Sequence, residues 1–476
     1  MKTPFILLIN PWIYDFAAFD FWLRPLGILR IAAILKECGC DLKFIDCLDR
    51  FNKDLIAQKG RLLPRMREYG CGKFYKEKAE KPDVFKGFER EYFRYGIPVE
   101  IFNKCIKTLE TTPDLILVTS GMTFWYLGIQ HVIGLLKNHL KNIPVVLGGI
   151  YANLCPQHAL DKSGADYVFS GTDYMGLLKF LSSFIKLDIK KEYNFQNLPY
   201  TLFELLTNRE LLVIQTSKGC PFGCTYCASN ILDNRFLQKS PEAVINEIEY
   251  YIKNFNCRDI AFYDDALLAN SDSHIKMILK GLIRKNLTDC NYHTPNGMNV
   301  SNIDMELATL MFKTNFKTIR LSLDSSKEDI QKSTSLKVTN AQLERAIFYL
   351  KEAGFKSSDI TVYTMAGLPR QNIDDIIEDI IFVANLKVRS MLVSYSPIPG
   401  TQQFKKLYDE GFDYLEREPL LHNSSVFQAI FYGTDLDVFK RIRRFSSLCN
   451  KLVLSNQGIN KRALRERAYN EIFLTN

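Results

Sequence analysis

The sequence predicts an α/β protein with two parallel-sheet domains. The first is an N-terminal doubly wound sheet of Rossmann-like or flavodoxin-like type, and the second is a partial (β/α)6 barrel of TIM type followed by a helical C-terminal tail. The chain has 476 residues, which exceeds the ~250–300 residues that a single hydrophobic core usually holds. Apolar runs of strand length alternate with amphipathic helical stretches along most of the chain, as in parallel sheets built from crossover units.

The N-terminal domain is predicted over residues 1–190. Its strand-like segments are FILLIN (5–10), DLKFID (41–46), DLILVTSG (114–121), IPVVLGGI (143–150) and ADYVFSG (165–171). Ligands of such sheets bind beyond the carboxyl ends of the strands, and these ends carry Asn, Pro, Ser and Gly residues that permit tight turns. The segment 48–112 is too long for a plain connection, and its Lys, Glu and aromatic content predicts a helical insertion.

The partial barrel is predicted over residues 205–400, after a polar linker. Its strand-like segments are LLVIQTSKG (211–219), DIAFYDD (259–265), CNYHTPNGM (290–298), KTIRLSLDS (317–325), DITVYTMAG (359–367) and SMLVSYSPI (390–398). Six βα units are two short of the eight that close a full barrel. Residues 240–242, Ser-Pro-Glu, have the form of a helix N-cap. Residues 401–476 are predicted to form a helical, basic C-terminal region.

Composition indicates a folded protein that is neither disordered nor held together by disulfides. Hydrophobic residues make up 47% of the chain and charged residues 24%, as in ordinary globular proteins. No stretch approaches the ~18 consecutive apolar residues that a membrane span needs. The first apolar run is also shorter than that of a signal peptide. We therefore expect a cytoplasmic protein without a membrane span.

The net charge of +8 is modest and does not by itself indicate a nucleic-acid partner. Two segments are more basic than the average. Residues 437–476 hold nine Lys and Arg against three Asp and Glu, and residues 48–112 hold fifteen against ten. Solvated helical faces would explain both segments, and a surface for RNA, phosphate or an anionic substrate is the alternative interpretation.

The cysteines supply the sharpest chemical signal. The chain has 12 of them, which without a signal peptide points to reduced thiols. Cys220, Cys224 and Cys227 lie together in the segment CPFGCTYC, directly after the first barrel strand. Closely spaced thiolates bind soft metals or iron–sulfur clusters. Structural zinc needs four ligands, and Cys257 would have to fold back to supply the fourth.

The C-x3-C-x2-C spacing, with the aromatic Tyr226 before the last cysteine and a six-unit partial barrel around it, resembles the radical S-adenosylmethionine (SAM) superfamily. The resemblance implies that Cys220, Cys224 and Cys227 bind three irons of a 4Fe-4S cluster. It also implies that the open fourth iron chelates the amino and carboxylate groups of SAM. In that family, reductive cleavage of SAM yields a 5′-deoxyadenosyl radical.

Segments at later strand ends also resemble motifs of that family. The acidic pair 264–265 stands where relatives carry a segment that meets the SAM amino group, and residues 322–325 (SLDS) stand where many have Gly-Ile-Glu-Ser. Residues 367–369 (GLP) resemble a turn that supports adenine, and residues 395–401 resemble a recurrent Pro-Gly-Thr ending. The SAM-binding positions that the resemblance implies are Tyr226, Asp264, Asp265, Ser322, Asp324, Gly367 and Leu368.

The N-terminal sheet resembles the cobalamin-binding domain that precedes many radical SAM barrels. The cobalamin-binding positions carried over are Asn10, Pro11, Gly27, Ser120, Gly148, Gly149 and Gly171. One feature departs from the best-known cobalamin domains: the D-x-H-x-x-G motif that supplies a cobalt ligand is absent, since none of the six histidines lies in the loop after the first strand. Many radical SAM relatives also lack this motif, and the resemblance still implies cobalamin.

These resemblances imply a cobalamin-dependent methyltransferase that acts on an unactivated carbon. A radical SAM rearrangement, cyclisation or oxidation enzyme with a vestigial cobalamin domain is the alternative, and a non-catalytic zinc or nucleic-acid binding protein is a third class. The family implies a small-molecule or peptide substrate and an electron donor such as ferredoxin or flavodoxin. Nucleic acid is not an expected partner.

Two further features have more than one interpretation. His293, near the end of the third barrel strand, is predicted to be a satisfied polar residue of the core, and proton transfer is the alternative. The aromatic run 124–126, Phe-Trp-Tyr, either packs on a corrin ring or belongs to the ordinary core.

Overall fold

The computed structural model describes residues 3–335, 338–369, 371–433, 436–455 and 458–474. The chain divides into two compact units. The first unit extends to Val213 and includes Asp413–Leu421, whereas the second begins at Ile214, extends to Phe412 and resumes at His422. A short segment of the predicted C-terminal region therefore groups with the N-terminal unit.

The strands are β1 (Phe5–Asn10), β2 (Ile13–Asp15), β3 (Phe19–Asp20), β4 (Asp41–Asp46), β5 (Gly72–Lys73), β6 (Lys76–Lys78), β7 (Phe93–Tyr95), β8 (Leu115–Val118), β9 (Val145–Leu147), β10 (Tyr167–Val168), β11 (Leu211–Ile214), β12 (Ser217–Lys218), β13 (Leu237–Gln238), β14 (Asp259–Phe262), β15 (Asn291–His293), β16 (Phe316–Asp324), β17 (Ile360–Ala366) and β18 (Arg389–Ser394).

The α-helices are α1 (Leu26–Glu37), α2 (Lys53–Lys59), α3 (Val99–Lys107), α4 (Tyr126–His139), α5 (Ile150–Leu154), α6 (Pro156–Lys162), α7 (Tyr174–Leu181), α8 (Ser229–Leu232), α9 (Pro241–Phe255), α10 (Ile275–Arg284), α11 (Met305–Lys313), α12 (Glu328–Thr334), α13 (Asn340–Glu352), α14 (Ile373–Asn385), α15 (Gln402–Asp409), α16 (Tyr414–Arg417), α17 (Ser424–Tyr432), α18 (Leu436–Leu454) and α19 (Lys461–Tyr469).

The N-terminal unit is built on a five-stranded parallel sheet with the order β10-β9-β8-β1-β4. This is the flavodoxin-like strand order, which confirms the predicted doubly wound sheet. Leu8 of β1 lies beside Phe44 of β4 and Leu117 of β8. The direction of winding reverses between β1 and β8, and open sheets of this type bind ligands beyond the strand ends at that point.

The prediction of a helical insertion at 48–112 is wrong over most of its length. Helices α2 and α3 lie near its ends, but between them the chain forms β5, β6 and β7, which pair antiparallel among themselves and with β2 and β3. Phe74 and Tyr92 are buried, whereas the preceding residues Lys73 and Glu91 are exposed. Charge and aromatic content do not distinguish short strands of this kind from helices.

A six-stranded sheet has the order β11-β14-β15-β16-β17-β18, so each strand lies beside the next barrel strand of the chain, and β14 to β18 belong to the second unit. The pairings from β14 to β18 are parallel. This sequential order is the one predicted for the partial barrel. The predicted cap at 240–242 is confirmed, because the Ser240 side chain accepts a hydrogen bond from the Ala243 N–H at the start of α9.

The described part of the C-terminal region is largely helical, as predicted. Phe439, Ile442 and Phe445 of α18 belong to one buried cluster with the isoleucines of α14. None of the helices in the described residues is long and apolar enough to cross a membrane.

Candidate functional site

The cysteine-bearing loop is closed at its base by the antiparallel pair β12 and β13. Lys218 Nζ lies 2.7 Å from Asp233 Oδ1 across this base. Gly219, immediately before Cys220, has a φ of +74°, and a Cβ added there would lie 2.4 Å from the Arg235 carbonyl oxygen. The chain can therefore turn from β12 into the loop only with glycine at this position.

The three predicted cluster ligands are brought together in this loop. Cys220, Cys224 and Cys227 are free of disulfides and partly exposed. The Ser229 N–H donates to Cys227 Sγ at 3.5 Å, and the Ser229 hydroxyl lies 3.2 Å from the same sulfur. Hydrogen bonds to a ligating sulfur stabilise its thiolate and tune a bound cluster.

The spacing of the sulfurs distinguishes two kinds of metal centre. A single tetrahedral zinc, with Zn–S bonds of ~2.3 Å, needs sulfurs within about 4 Å of one another. Within the described residues, one set of three possible ligand atoms converges to within 4.8 Å, and it comprises Asp272, Asp304 and Glu306 rather than the cysteines. The three cysteine sulfurs are not such a set, so they do not converge as the ligands of a single tetrahedral zinc would.

Cys257, the candidate fourth ligand, is buried beside the start of β14. It is 5% exposed, and its Sγ donates to the Asp259 carbonyl oxygen at 3.4 Å. Its thiol also neighbours that of Cys290. These contacts hold the Cys257 thiol outside the cysteine-bearing loop.

Asp264 joins the end of β14 to the strand that leads into the cysteine-bearing loop. Its Oδ1 accepts hydrogen bonds from the Thr216 and Ser217 hydroxyls at 2.7 and 2.6 Å, and from their backbone N–H groups at 3.0 and 2.5 Å. The side chain is buried. The neighbouring Asp265 is exposed, so the two carboxylates of the predicted pair have different environments.

Tyr226 joins the same loop to the end of β16. Its hydroxyl donates to Asp324 Oδ2 at 2.6 Å, and the Ser335 hydroxyl donates to the same oxygen at 3.2 Å. Burial, and then the nearby Asp324 carboxylate, hold the pKa of Tyr226 well above its usual range. Asp324 has a φ of +67°, a left-handed conformation that turns the chain at the end of β16.

The segments that follow β16 and β17 are linked through the buried side chain of Asp379. Asp379 Oδ1 accepts from the Ser325 and Ser326 hydroxyls at 3.1 and 2.6 Å, and Gln371 Nε2 donates to Asp379 Oδ2 at 3.3 Å. The side-chain oxygen of Gln371 accepts from the N–H groups of Gly367 and Leu368 at 3.0 and 3.2 Å. The Gly-Leu-Pro turn is thereby fixed relative to the end of β16.

Ser322 lies within β16 and faces Gly297. A Cβ at Gly297 would lie 2.3 Å from Ser322 Oγ, so the segment that follows β15 approaches β16 closely at this point. His293 is fully buried, with Nε2 2.9 Å from Asp259 Oδ1 and Nδ1 3.2 Å from Thr318 Oγ1. The prediction that His293 is a satisfied core residue is confirmed.

The first unit has a cavity at the carboxyl ends of β8, β9 and β10, beside α1 and α7. Four of the seven predicted cobalamin-binding positions line it: Gly27, Gly148, Gly149 and Gly171. Sequence reasoning did not identify the other lining residues, which include Ile28, Ile31, Thr119, Phe169, Thr172 and Leu177. Phe169 lies in the segment ADYVFSG, whose strand end could have indicated it.

The other three predicted positions, Asn10, Pro11 and Ser120, are not among the residues that line this cavity. The Ser120 hydroxyl donates to the Gly148 carbonyl oxygen at 2.7 Å and accepts from the Tyr151 N–H at 3.1 Å. Asn10 Nδ2 donates to Asp46 Oδ1 at 2.7 Å, and burial raises the pKa of Asp46 to about 7. Pro11 is buried beside Asn10.

Gly149 is the tightest point of the cavity wall. Its φ is +97°, and a Cβ there would lie 2.5 Å from the Ser120 carbonyl oxygen. The aromatic run belongs largely to the core: Phe124 and Tyr126 are each 8% exposed, and Trp125 Nε1 donates to Asp15 Oδ2 at 2.9 Å. The unit thus presents a glycine-lined crevice backed by a firmly packed core.

Comparison with known proteins supports this organisation. Residues 214–383 match the family model of the Radical SAM superfamily. The chain is 22% identical over 331 residues to an uncharacterized methyltransferase of Pyrococcus horikoshii, covering 63% of this chain and 70% of the relative. It is 20% identical to the cytidylyl-2-hydroxyethylphosphonate methyltransferase of Streptomyces wedmorensis, covering 86% of this chain and 82% of the relative.

Two solved structures share the fold over most of the chain. One is the radical SAM methyltransferase TsrM from Kitasatospora setae with cobalamin and a [4Fe-4S] cluster bound, with a TM-score of 0.62, 15% identity, and coverage of 86% of this chain and 78% of that one. The other is the cobalamin-dependent SAM radical enzyme OxsB with aqua-cobalamin and SAM bound. It has a TM-score of 0.56, 13% identity, and coverage of 88% and 56% respectively.

Proposed function

Since residues 214–383 are a radical SAM domain, we propose that the protein is a cobalamin-dependent radical SAM methyltransferase that acts on an unactivated carbon. The observation that carries this proposal is the loop holding Cys220, Cys224 and Cys227, which is connected to neighbouring strand ends by Asp264 and by Tyr226. The methyltransferase names of the two relatives and the cofactors in the two solved structures support it.

The residues of the second unit divide into ligands and positioning groups. Cys220, Cys224 and Cys227 would hold the cluster as thiolates, with Ser229 donating to the sulfur of Cys227. When bound, the reduced 4Fe-4S cluster supplies the electron that cleaves SAM, and methylcobalamin supplies the methyl group. Asp264 already accepts four hydrogen bonds at one oxygen, so its role is to position the loop.

SAM would bind against the strand ends that surround the loop. Tyr226 presents its ring from the loop while its hydroxyl is fixed to Asp324. Gly367 and Leu368 form a turn whose backbone is oriented by Gln371. Asp265 is the exposed carboxylate of its pair, and a carboxylate at this strand end can pair with the SAM ammonium group.

Cobalamin would bind in the first unit, with its nucleotide tail in the cavity lined by Gly27, Gly148, Gly149 and Gly171. The glycine backbone permits close approach of a large flat ligand, and the apolar lining suits an aromatic base. The substrate is a small molecule or peptide, and the electron comes from a donor such as ferredoxin or flavodoxin.

The test is anaerobic reconstitution of the full-length protein with iron and sulfide, followed by reduction in the presence of SAM. We expect 5′-deoxyadenosine from the wild-type protein and none from Cys224→Ala, because one iron loses its ligand. Cys257→Ala is the matched control and should retain iron and activity.

A yield from Cys224→Ala equal to that of the wild type would refute the ligand assignment. Retention of cobalamin through gel filtration tests the second cofactor separately. A protein that forms 5′-deoxyadenosine but never retains cobalamin would instead be a radical SAM rearrangement, cyclisation or oxidation enzyme.

A further inference from the structure

A second polar cavity lies at the edge of the barrel sheet, away from the cysteine-bearing loop. Its floor is a cross-strand row in which Arg320 of β16 pairs with Thr361 of β17, and Thr361 pairs with Arg389 of β18. Residues in register on parallel strands point to the same face, about 4.8 Å apart per strand. The row therefore places two guanidinium groups on one face of the sheet with a hydroxyl between them.

Helix α18 supplies Arg443, Ser446, Ser447 and Asn450 to the lining and is attached to the edge strand β18. The Ser390 N–H donates to Asn450 Oδ1, and Asn450 Nδ2 donates to the Ser390 carbonyl oxygen, each at 2.8 Å. The hydroxyls of Ser390 and Ser446 lie 3.0 Å apart. These contacts place Arg443, whose Nη2 donates to Ser394 Oγ at 2.9 Å, in the exposed part of the lining.

The lining has a consistent chemistry. Its ten residues comprise three arginines, four residues with hydroxyl groups, one asparagine and the apolar residues Met391 and Leu392. All the ionisable groups among them are cationic. Arg320 is 7% exposed, and a charge in such surroundings interacts with an anion more strongly than it would in water.

We propose that this cavity binds a tetrahedral phosphate or phosphonate group. Guanidinium groups form paired hydrogen bonds with such oxyanions, and surrounding hydroxyls can donate to the remaining oxygens. Arg320 precedes Asp324 by four residues along β16, which corresponds to about 13 Å of strand. The site is therefore separate from the strand ends near Tyr226 and goes beyond the proposed function.

The group could be free phosphate or part of a larger organic ligand. Met391 and Leu392 offer an apolar surface for an attached organic group. Titration calorimetry of the full-length protein with inorganic phosphate and with phenylphosphonate distinguishes the two sources. Tighter binding of phenylphosphonate identifies an organic ligand, whereas equal affinity identifies the free anion, and both results support the proposal.

The variant that tests the site is Arg443→Gln, which changes an exposed residue and should leave the fold intact. We expect it to weaken binding of both probes by about tenfold. Arg444→Gln, on the same helix but outside the lining, should change binding by less than about twofold. Arg389→Gln provides a second lining variant with the same expectation as Arg443→Gln.

Binding of neither probe below about 10 mM would overturn the proposal. Equal weakening by Arg443→Gln and Arg444→Gln would also overturn it, because it would reveal a general effect of surface charge. Anion binding needs neither the cluster nor SAM cleavage, so either result can be separated from the outcome of the reconstitution experiment.

Discussion

The hydroxyl of Tyr226 donates a 2.6 Å hydrogen bond to Oδ2 of Asp324. The two residues are 98 positions apart in the chain, and their contact fixes the cysteine-bearing loop to the end of β16. A second contact reinforces it, because the Thr225 N–H donates to the Thr334 carbonyl oxygen at 2.8 Å. The aromatic ring before the last cysteine is therefore held in one orientation.

Removal of this hydroxyl should weaken the use of SAM without loss of the cluster. In Tyr226→Phe the ring remains but the bond to the carboxylate is lost, and a hydrogen bond to a charged group contributes about 1.5–3 kcal/mol. We expect 5′-deoxyadenosine formation to fall by about tenfold or more, with iron content unchanged. Tyr408→Phe, at an exposed site on α15, is the control. Iron loss as complete as that of Cys224→Ala would contradict this interpretation.

Replacement of Asp264 distinguishes a role in positioning the cysteine-bearing loop from a role in SAM binding. Asp264→Asn keeps the shape of the side chain but removes the charge that accepts hydrogen bonds from Thr216 and Ser217. We expect lower iron content after reconstitution and faster iron loss to a chelator, because the loop base is less well fixed. Asp265→Asn, at the exposed neighbour, should retain iron. Normal iron content with weaker SAM binding in Asp264→Asn would instead restore the role expected from the sequence.

The sequence predicted the positions of these residues along the strands better than the hydrogen bonds that they make. The three cysteines could be proposed as ligands because their spacing is local, and the order of the barrel strands follows from the regular alternation of apolar runs. The hydrogen bonds of Asp264 were not predictable, because their donors lie 47 and 48 residues earlier in the chain. Asn10 and Ser120 were likewise placed at the right strand ends, but their side chains bond to other parts of the protein rather than line the cavity.

The cavity of the first unit can be tested by filling it. Gly27 lines the cavity near the start of α1, and nothing lies within 4 Å of a Cβ added there. Gly27→Leu should reduce cobalamin retention by about tenfold or more, because the added side chain occupies ligand space. Gly134→Leu is the matched control, since Gly134 is also an exposed helical glycine with nothing within 4 Å. Equal retention by the two variants, measured by visible absorption after gel filtration, would exclude this cavity as the binding site.

Asp379 predicts a pH dependence of stability in the second unit. Burial raises the pKa of Asp379 from 3.8 to about 7, so between these values the folded state holds a proton that the unfolded state has released. Stability must then decrease as the pH rises through this window, by up to about 1.4 kcal/mol per pH unit, and level off above it.

Asp379→Asn lacks the titration, so the stability advantage of the wild type over this variant should shrink between about pH 5 and pH 7. Hydrogen exchange of the α14 amides, corrected for intrinsic rates, measures the difference in stability between the wild type and the variant. Asp374→Asn, at an exposed position on the same helix, is the control. A difference that stays constant or grows with pH would show that Asp379 is ionised in the folded protein and that its hydrogen bonds to Ser325 and Ser326 outweigh its burial.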